Sequence, residues 1–300
     1  MMLPPRPEVP AAQRGTGTYP VRFEDLTQDG RLRFDPIVTS IGAAIWVPIL
    51  ARHPLSATLQ ASGVRAVFTR LAIEGTDARI DLGTPLTADG TYELAHERAA
   101  DGGVARLYLN MWTDVWAPRR GTKERALVGR LFAEHVLTRP LAPPGERRVT
   151  TVPGLDVPTA HYAQPRLDDL LTLPSDAGGQ GEDFAEAALS LDATPCSFGL
   201  VHTDMNQHVN SLVYPRLFED AALRRFAALG KSTTVLSRTL EIAFRKPFFA
   251  GQTARVALRT AVGGAGASAV GVFVDASDVT SDAPLGSAKP HTYVRVGFQR

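Results

Sequence analysis

Between His202 and Asn210 the chain reads His-Thr-Asp-Met-Asn-Gln-His-Val-Asn, so Asp204, Asn206, His208 and Asn210 occupy every second position. On an extended backbone such residues share one face, here a carboxylate, two amides and an imidazole. Tyr214-Pro215 then opens a helical pattern, and the first turn of a helix offers unpaired N–H groups and a positive dipole end. A carboxylate activates water or attacks a carbonyl directly, while an imidazole and N–H groups steady the oxyanion that forms. These are the parts of an acyl-transfer site. Glu219, further along the helix, is a second candidate carboxylate, with a competing role as partner of the helix dipole. Two histidines, His202 and His208, without a third ligand at suitable spacing do not make a zinc site, and no metal or cofactor is expected. Cys196 reads as a small core residue, because no cation or base is placed to lower its pKa.

These side chains need elements to hold them. Leu217, Phe218, Ala221, Ala222, Phe226 and Leu229 form a broad apolar stripe from Pro215 to a cap at Gly230. Strands are expected at 234–244, 253–260, 267–275 and 291–298. The same order appears earlier in the chain. Adding 179 pairs Asp25 with Asp204, Gln28 with Gln207 and Pro36 with Pro215, and adding 162 pairs Pro85 with Pro247 and Thr91 with Thr253. In this first copy Asp35 and Pro36 read as N-cap and first residue of a helix that is apolar nearly all round, from Ile37 to Ile49. Strands are expected at 64–73, 92–96 and 106–112. A sheet curled around one helix satisfies both copies, so the fold class is α+β rather than a doubly wound sheet.

Four stretches follow. Residues 1–17 read as a loose tail without an apolar signal core, 18–117 as the first domain and 195–300 as the second. The connecting segment 118–194 reads as an amphipathic helix (Leu127, Val128, Leu131, Phe132, His135, Val136) followed by a stretch broken by prolines.

Composition narrows the class. The 300 residues are 44% apolar and 21% charged, and 32 basic against 31 acidic residues leave a net charge of +1. That excludes a disordered chain and gives no overall field for a polyanion, so no nucleic acid partner is expected. A single cysteine precludes an internal disulfide and fits a cytoplasmic location. The apolar run Ile37 to Leu50 falls short of a membrane span, so no membrane partner is expected. Two domains in one chain make a monomer self-sufficient and leave a homo-oligomer possible.

The run DMNQHVNSLVY resembles the DxNxHVNxxxY signature of hotdog-fold acyl thioesterases, particularly the acyl-carrier-protein thioesterases of plants and bacteria, whose chains hold two hotdog domains. The Asp204-to-Pro215 spacing, with Arg216-Leu217-Phe218-Glu219-Asp220-Ala221 after it, is also similar to the aspartate branch of 4-hydroxybenzoyl-CoA-type thioesterases. The close likeness runs from about Phe198 to Gly230. It implies two tandem hotdog domains, each an antiparallel sheet around one long helix. Asp204, Asn206 and His208 would be catalytic and Asn210 would brace the loop. The substrate it implies is an acyl thioester of coenzyme A or acyl carrier protein.

The carboxylate that the family carries on the strand after the helix has no counterpart in Phe244-Arg245-Lys246-Pro247-Phe248, which leaves Glu241 or Glu219 as substitutes. In the first copy Thr27, Asp29 and Arg31 stand for Asn206, His208 and Asn210, so one working site per chain is expected. Arg216, Arg224, Arg225, Lys231, Arg238, Arg245 and Lys246 are either a docking patch for phosphates or an acidic carrier, or a solvated face. Two other functions fit the fold: an acyl-thioester hydratase or dehydratase, whose GDxNPLH-like loop is absent, and a non-catalytic acyl-binding protein.

Overall fold

The computed structural model describes residues 3–174, 182–264, 266–279 and 288–299. The chain divides into two units, residues 1–165 and 166–300.

The first unit is built of β1 (Arg14–Pro20), α1 (Phe34–Ile41), α2 (Pro54–Ala61), β2 (Arg65–Gly75), β3 (Pro85–Arg98), β4 (Val104–Pro118), β5 (Arg125–Thr138) and the short β6 (Ala160–His161). Its sheet runs β1-β3-β4-β5-β2, antiparallel throughout, with β6 added parallel to the end of β3. From α1 the helical path continues through a wide turn at Gly42–Trp46, closed by the Val47 N–H donating to the Gly42 carbonyl at 3.1 Å. Phe34–Arg52, 19 residues with mean hydropathy 1.6, is long and apolar enough by that count to cross a membrane. Here Ile37, Ala44, Ile45 and Leu50 are instead buried in the core of the unit.

The helix lies so close to β1 that no side chain fits between them. A Cβ built on Gly15 would stand 2.2 Å from the Ala44 carbonyl oxygen, and one on Gly17 would stand 2.1 Å from that of Ala43. Gly17→Ala therefore costs about 1–3 kcal/mol, because backbone rather than a side-chain tip must yield. A urea-unfolding series on Gly17→Ala and the exposed control Gly145→Ala measures the difference.

The second unit contains β7 (Glu182–Ala185), β8 (Ser190–Leu191), β9 (Cys196–Ser197), α3 (Val213–Ala228), β10 (Leu236–Phe244), β11 (Thr253–Gly263), β12 (Gly266–Asp275) and β13 (Thr292–Gln299). The antiparallel order is β10-β13-β12-β11, and β7, β8 and β9 pair in turn along the outer edge of β11. α3 buries Tyr214, Pro215, Phe218, Ala221, Ala222 and Phe226, the spacing of one helix face. Phe218 meets Phe273 of β12 at 6.3 Å between ring centres, and Phe226 meets Phe298 of β13 edge-on at 5.5 Å. Gly230, left-handed at φ 64°, ends the helix at the expected place.

Each unit is thus an antiparallel sheet packed on one principal helix, which is the α+β class expected. Several boundaries differ from the sequence reading. The expected helix over Leu127–Val136 is strand β5. Leu131 and Ala133 face the helix side, while Phe132 packs with Trp112 and Ala72 on the other. A strand covered on both faces carries no simple alternation, so its apolar residues imitate helical spacing. β5 therefore belongs to the first unit, which extends to residue 165 rather than 117, and the segment 118–194 is not one connector. Its residues 175–181 lie outside the described residues.

The N-terminal tail is also not loose. Residues 14–17 form the start of β1, Arg6 Nε donates to Thr91 Oγ1 at 2.8 Å, and Trp112 Nε1 donates to the Pro4 carbonyl at 3.1 Å. α1 begins at Phe34, so Asp35 lies in its first turn rather than at the cap.

Candidate active site

The segment from Thr203 to Val209 folds back on itself instead of running extended. Thr203 and Val209 form an antiparallel bridge, and the Asp204 N–H donates to the His208 carbonyl at 3.0 Å. The Gln207 N–H donates to the Asp204 carbonyl at 2.9 Å, which closes a tight turn. Gln207 itself is left-handed, at φ 62°. Asp204 shapes the turn from within, its Oδ1 accepting the Asn206 N–H at 2.8 Å. Alternate spacing therefore does not place the four polar residues on one strand face. What gathers Asp204, Asn206 and His208 is the turn, and Asn210 stands after it at the approach to α3.

The surroundings fix this turn at both ends. On one side His208 bridges Phe249, and the Val209 N–H donates to the Phe248 carbonyl at 2.8 Å. On the other side Asn210 Oδ1 accepts the Leu212 N–H at 2.9 Å, and its carbonyl accepts the Val213 N–H at 3.0 Å. Asn210 thus braces the entry to α3. Just upstream, His202 Nδ1 accepts the Gly199 N–H at 2.9 Å, so this imidazole caps the loop.

Asp204 is half-buried, while Asn206 and His208 are exposed. Asp204 Oδ2 and the His208 ring nitrogens take no hydrogen bond among the described residues. The Phe249 ring stands edge-on to His208, 5.1 Å between centres. Leu200, Val201, Met205 and Phe249 add exposed apolar surface on and beside the turn. An uncommitted carboxylate oxygen, an uncommitted imidazole and a helix start thus share one locality with an apolar rim.

The structure does not bring the second carboxylate there. Glu219 lies half-buried on α3, six residues past Val213 and so about 9 Å further along the axis. Glu241 is buried on β10, paired across the sheet with Arg295 Nη2 at 2.5 Å, on the face that the turn at Leu167–Leu171 covers. Most of the basic cluster is engaged as well. Arg224 pairs with Asp192, Arg225 with Glu186, Arg238 Nε donates to Gln299 Oε1, and Lys231 lies over the Phe184 ring at 4.9 Å. Arg245 and Lys246 remain exposed, on the turn that follows β10.

The first unit contains the same turn with different side chains. The Thr27 N–H donates to the Arg31 carbonyl at 2.8 Å, the Gly30 N–H to the Thr27 carbonyl at 3.0 Å, and Leu26 bridges Leu32. Gly30 is left-handed at φ 84°. Every one of these matches the second turn at an offset of 177, not the 179 expected from identities. Thr27 therefore stands at the place of Asp204, Asp29 at that of Asn206 and Arg31 at that of His208. Arg31 is tied to Asp29 and Asp77, each at 2.8 Å, so neither a free carboxylate nor an imidazole is offered. Gly30 opposite Gln207 was the signal in the sequence that could have set the register.

No family model and no curated protein sequence matches the chain. Solved structures do. The chain is similar to a 12:0-ACP thioesterase from Umbellularia californica, 14% identical, with 97% of this chain and 99% of that one covered and a TM-score of 0.56. It is similar to an acyl-ACP thioesterase from Bacteroides thetaiotaomicron, 16% identical over 96% and 98% of the two chains, TM-score 0.50. A chain assigned as oleoyl thioesterase from Lactobacillus plantarum gives 14% identity, 96% and 97% coverage and a TM-score of 0.57. At such identities the likeness is one of fold, and the fold is the one these hotdog proteins share.

Proposed function

We propose that the chain hydrolyses an acyl thioester, carried on coenzyme A or on an acyl carrier protein, to a free acid and a thiol. The observation that carries this reading is the turn at 204–208, which offers an unengaged Asp204 oxygen and an unengaged His208 ring beside the start of α3. Asp204 acts as general base toward water or as nucleophile at the thioester carbonyl. His208 and Asn206 orient the water and polarise the carbonyl oxygen, and the helix N terminus favours the negative charge that develops there. Leu200, Val201, Met205 and Phe249 supply apolar surface for the acyl group, and Arg245 and Lys246 are the cations available to a phosphate-bearing carrier. The first-unit turn, with Arg31 engaged by two carboxylates, takes no part in the chemistry. The reaction needs no metal or cofactor, and a cytoplasmic setting would supply both carriers.

Steady-state thiol release over a panel of acyl-CoA and acyl-carrier substrates is expected to show saturable turnover with at least one carrier. Saturable binding without any thiol release would sink the enzymatic reading and leave an acyl-binding protein.

A further inference from the structure

His291 is buried, only 2% exposed, and its Nδ1 has no partner among the described residues. Its ring lies flat on Phe248, centres 4.1 Å apart and planes 20° from parallel. Its backbone carbonyl accepts the Arg245 N–H at 2.9 Å and the Lys246 N–H at 3.2 Å, while its own N–H donates to Phe273 at 2.8 Å. One residue thus holds both ends of the turn 245–248, by backbone at the start and by ring stacking at the end. Phe248 in turn accepts the Val209 N–H, and its N–H donates to Tyr214 Oη at 3.3 Å, while Phe249 bridges His208. A continuous set of contacts leads from the buried imidazole to the exposed one.

We propose that the neutral ring of His291 is a positioning residue for His208, acting through Phe248, and that its protonation releases the turn that holds Val209. The charged groups facing it are Lys246, Asp275 and Asp278, with the Pro247 carbonyl beside the ring. Burial and then Lys246 hold its pKa below the ordinary imidazole value, against the opposing pull of Asp275, Asp278 and the hydrogen bond to the Pro247 carbonyl. Asp275 is itself held below the ordinary carboxylate value by the Ser277 N–H and hydroxyl, so it stays ionised through mild acid. The sign follows: a ring that resists protonation when packed and accepts it when released favours release as pH falls below about 6.5.

The inference rests on the proposed role of His208 only for its catalytic consequence, so its test reads structure first. Amide hydrogen exchange at Val209 is measured at pH 6.5 and 5.5 in the full chain. Wild type is expected to lose up to about fivefold in protection over that step, the limit set by a released ring that titrates near 6.5. His291→Phe keeps the stack, cannot titrate and is expected to hold its protection at both values, although His208, Asp275 and Asp278 are all retained. His291→Gln removes the stack and is expected to lose protection at both. Equal pH response in wild type and His291→Phe overturns the proposal. So does a parallel loss at Leu240 and Val296, which would mean that the whole sheet opens. If Asp204 substitution leaves thiol release intact, the hydrolase reading fails while the exchange result stands.

Discussion

Asp204→Asn is expected to lower kcat for thiol release by about 10²–10⁴-fold and to leave the melting temperature unchanged. The two outcomes separate because the bond that shapes the turn and the charge that the proposed reaction uses are distinct properties of Asp204. Its Oδ1 accepts the Asn206 N–H and shapes the turn, which an asparagine oxygen does equally well. Its negative charge, needed to take a proton from water or to attack carbon, is lost. Asp204→Ala removes both and should add about 1 kcal/mol of destabilisation to the same catalytic loss. Steady-state kinetics and thermal melts on the two variants check the pair. Equal turnover in wild type and Asp204→Asn would exclude Asp204 as base or nucleophile.

Acid is expected to destabilise the first unit through His135. This imidazole is buried between Phe68, 5.0 Å away, and Trp46, 5.9 Å away, with Nδ1 at 3.3 Å from the Leu109 carbonyl. Burial pulls its pKa down to about 4. In the unfolded chain it titrates near 6.5. The unfolded state thus binds the extra proton first, and stability is present above about pH 6.5 and lost as pH falls toward 4. At about 1.4 kcal/mol per pH unit the loss approaches 3 kcal/mol as an upper bound. His135→Phe, which keeps a ring in the same aromatic surroundings, removes that component of the slope. Urea unfolding of wild type and variant at pH 7 and pH 4.5 measures it, and identical slopes would contradict the assignment.

Where one face of a strand is partly open, as in β2 and β10, or where a run is plainly β-branched, as in β12 and β13, the elements are readable from the residues alone. β5 is not, because Phe132 packs under Trp112 while Leu131 and Ala133 face the helix side, and apolar residues on both faces erase the period of two. The anchoring of Arg6 is invisible for another reason. Its partners Thr91 and Asp114 lie 85 and 108 residues away, and nothing local marks them. In the candidate site the residue types were legible and their geometry was not. Alternate spacing suits a strand, but Gln207 turns left-handed and Asp204 bonds back onto Asn206, so proximity comes from a turn. The roles of Phe248, Phe249 and His291 could not be read at all, since they arise from two successive pairings between segments each about 40 residues apart in sequence.

The two units share a peptide path while agreeing in none of the side chains that could act. Thr27, Asp29 and Arg31 ride on the same trace as Asp204, Asn206 and His208, held in each case by its own main-chain bonds and a left-handed residue in fourth place. The main chain draws the path, and in each turn the first side chain adds a bond of its own, Asp204 Oδ1 to the Asn206 N–H and Thr27 Oγ1 to the Arg31 N–H. One main-chain path thus carries two unlike sets of side chains, a carboxylate, an amide and an imidazole in one unit and a hydroxyl, a carboxylate and a guanidinium in the other.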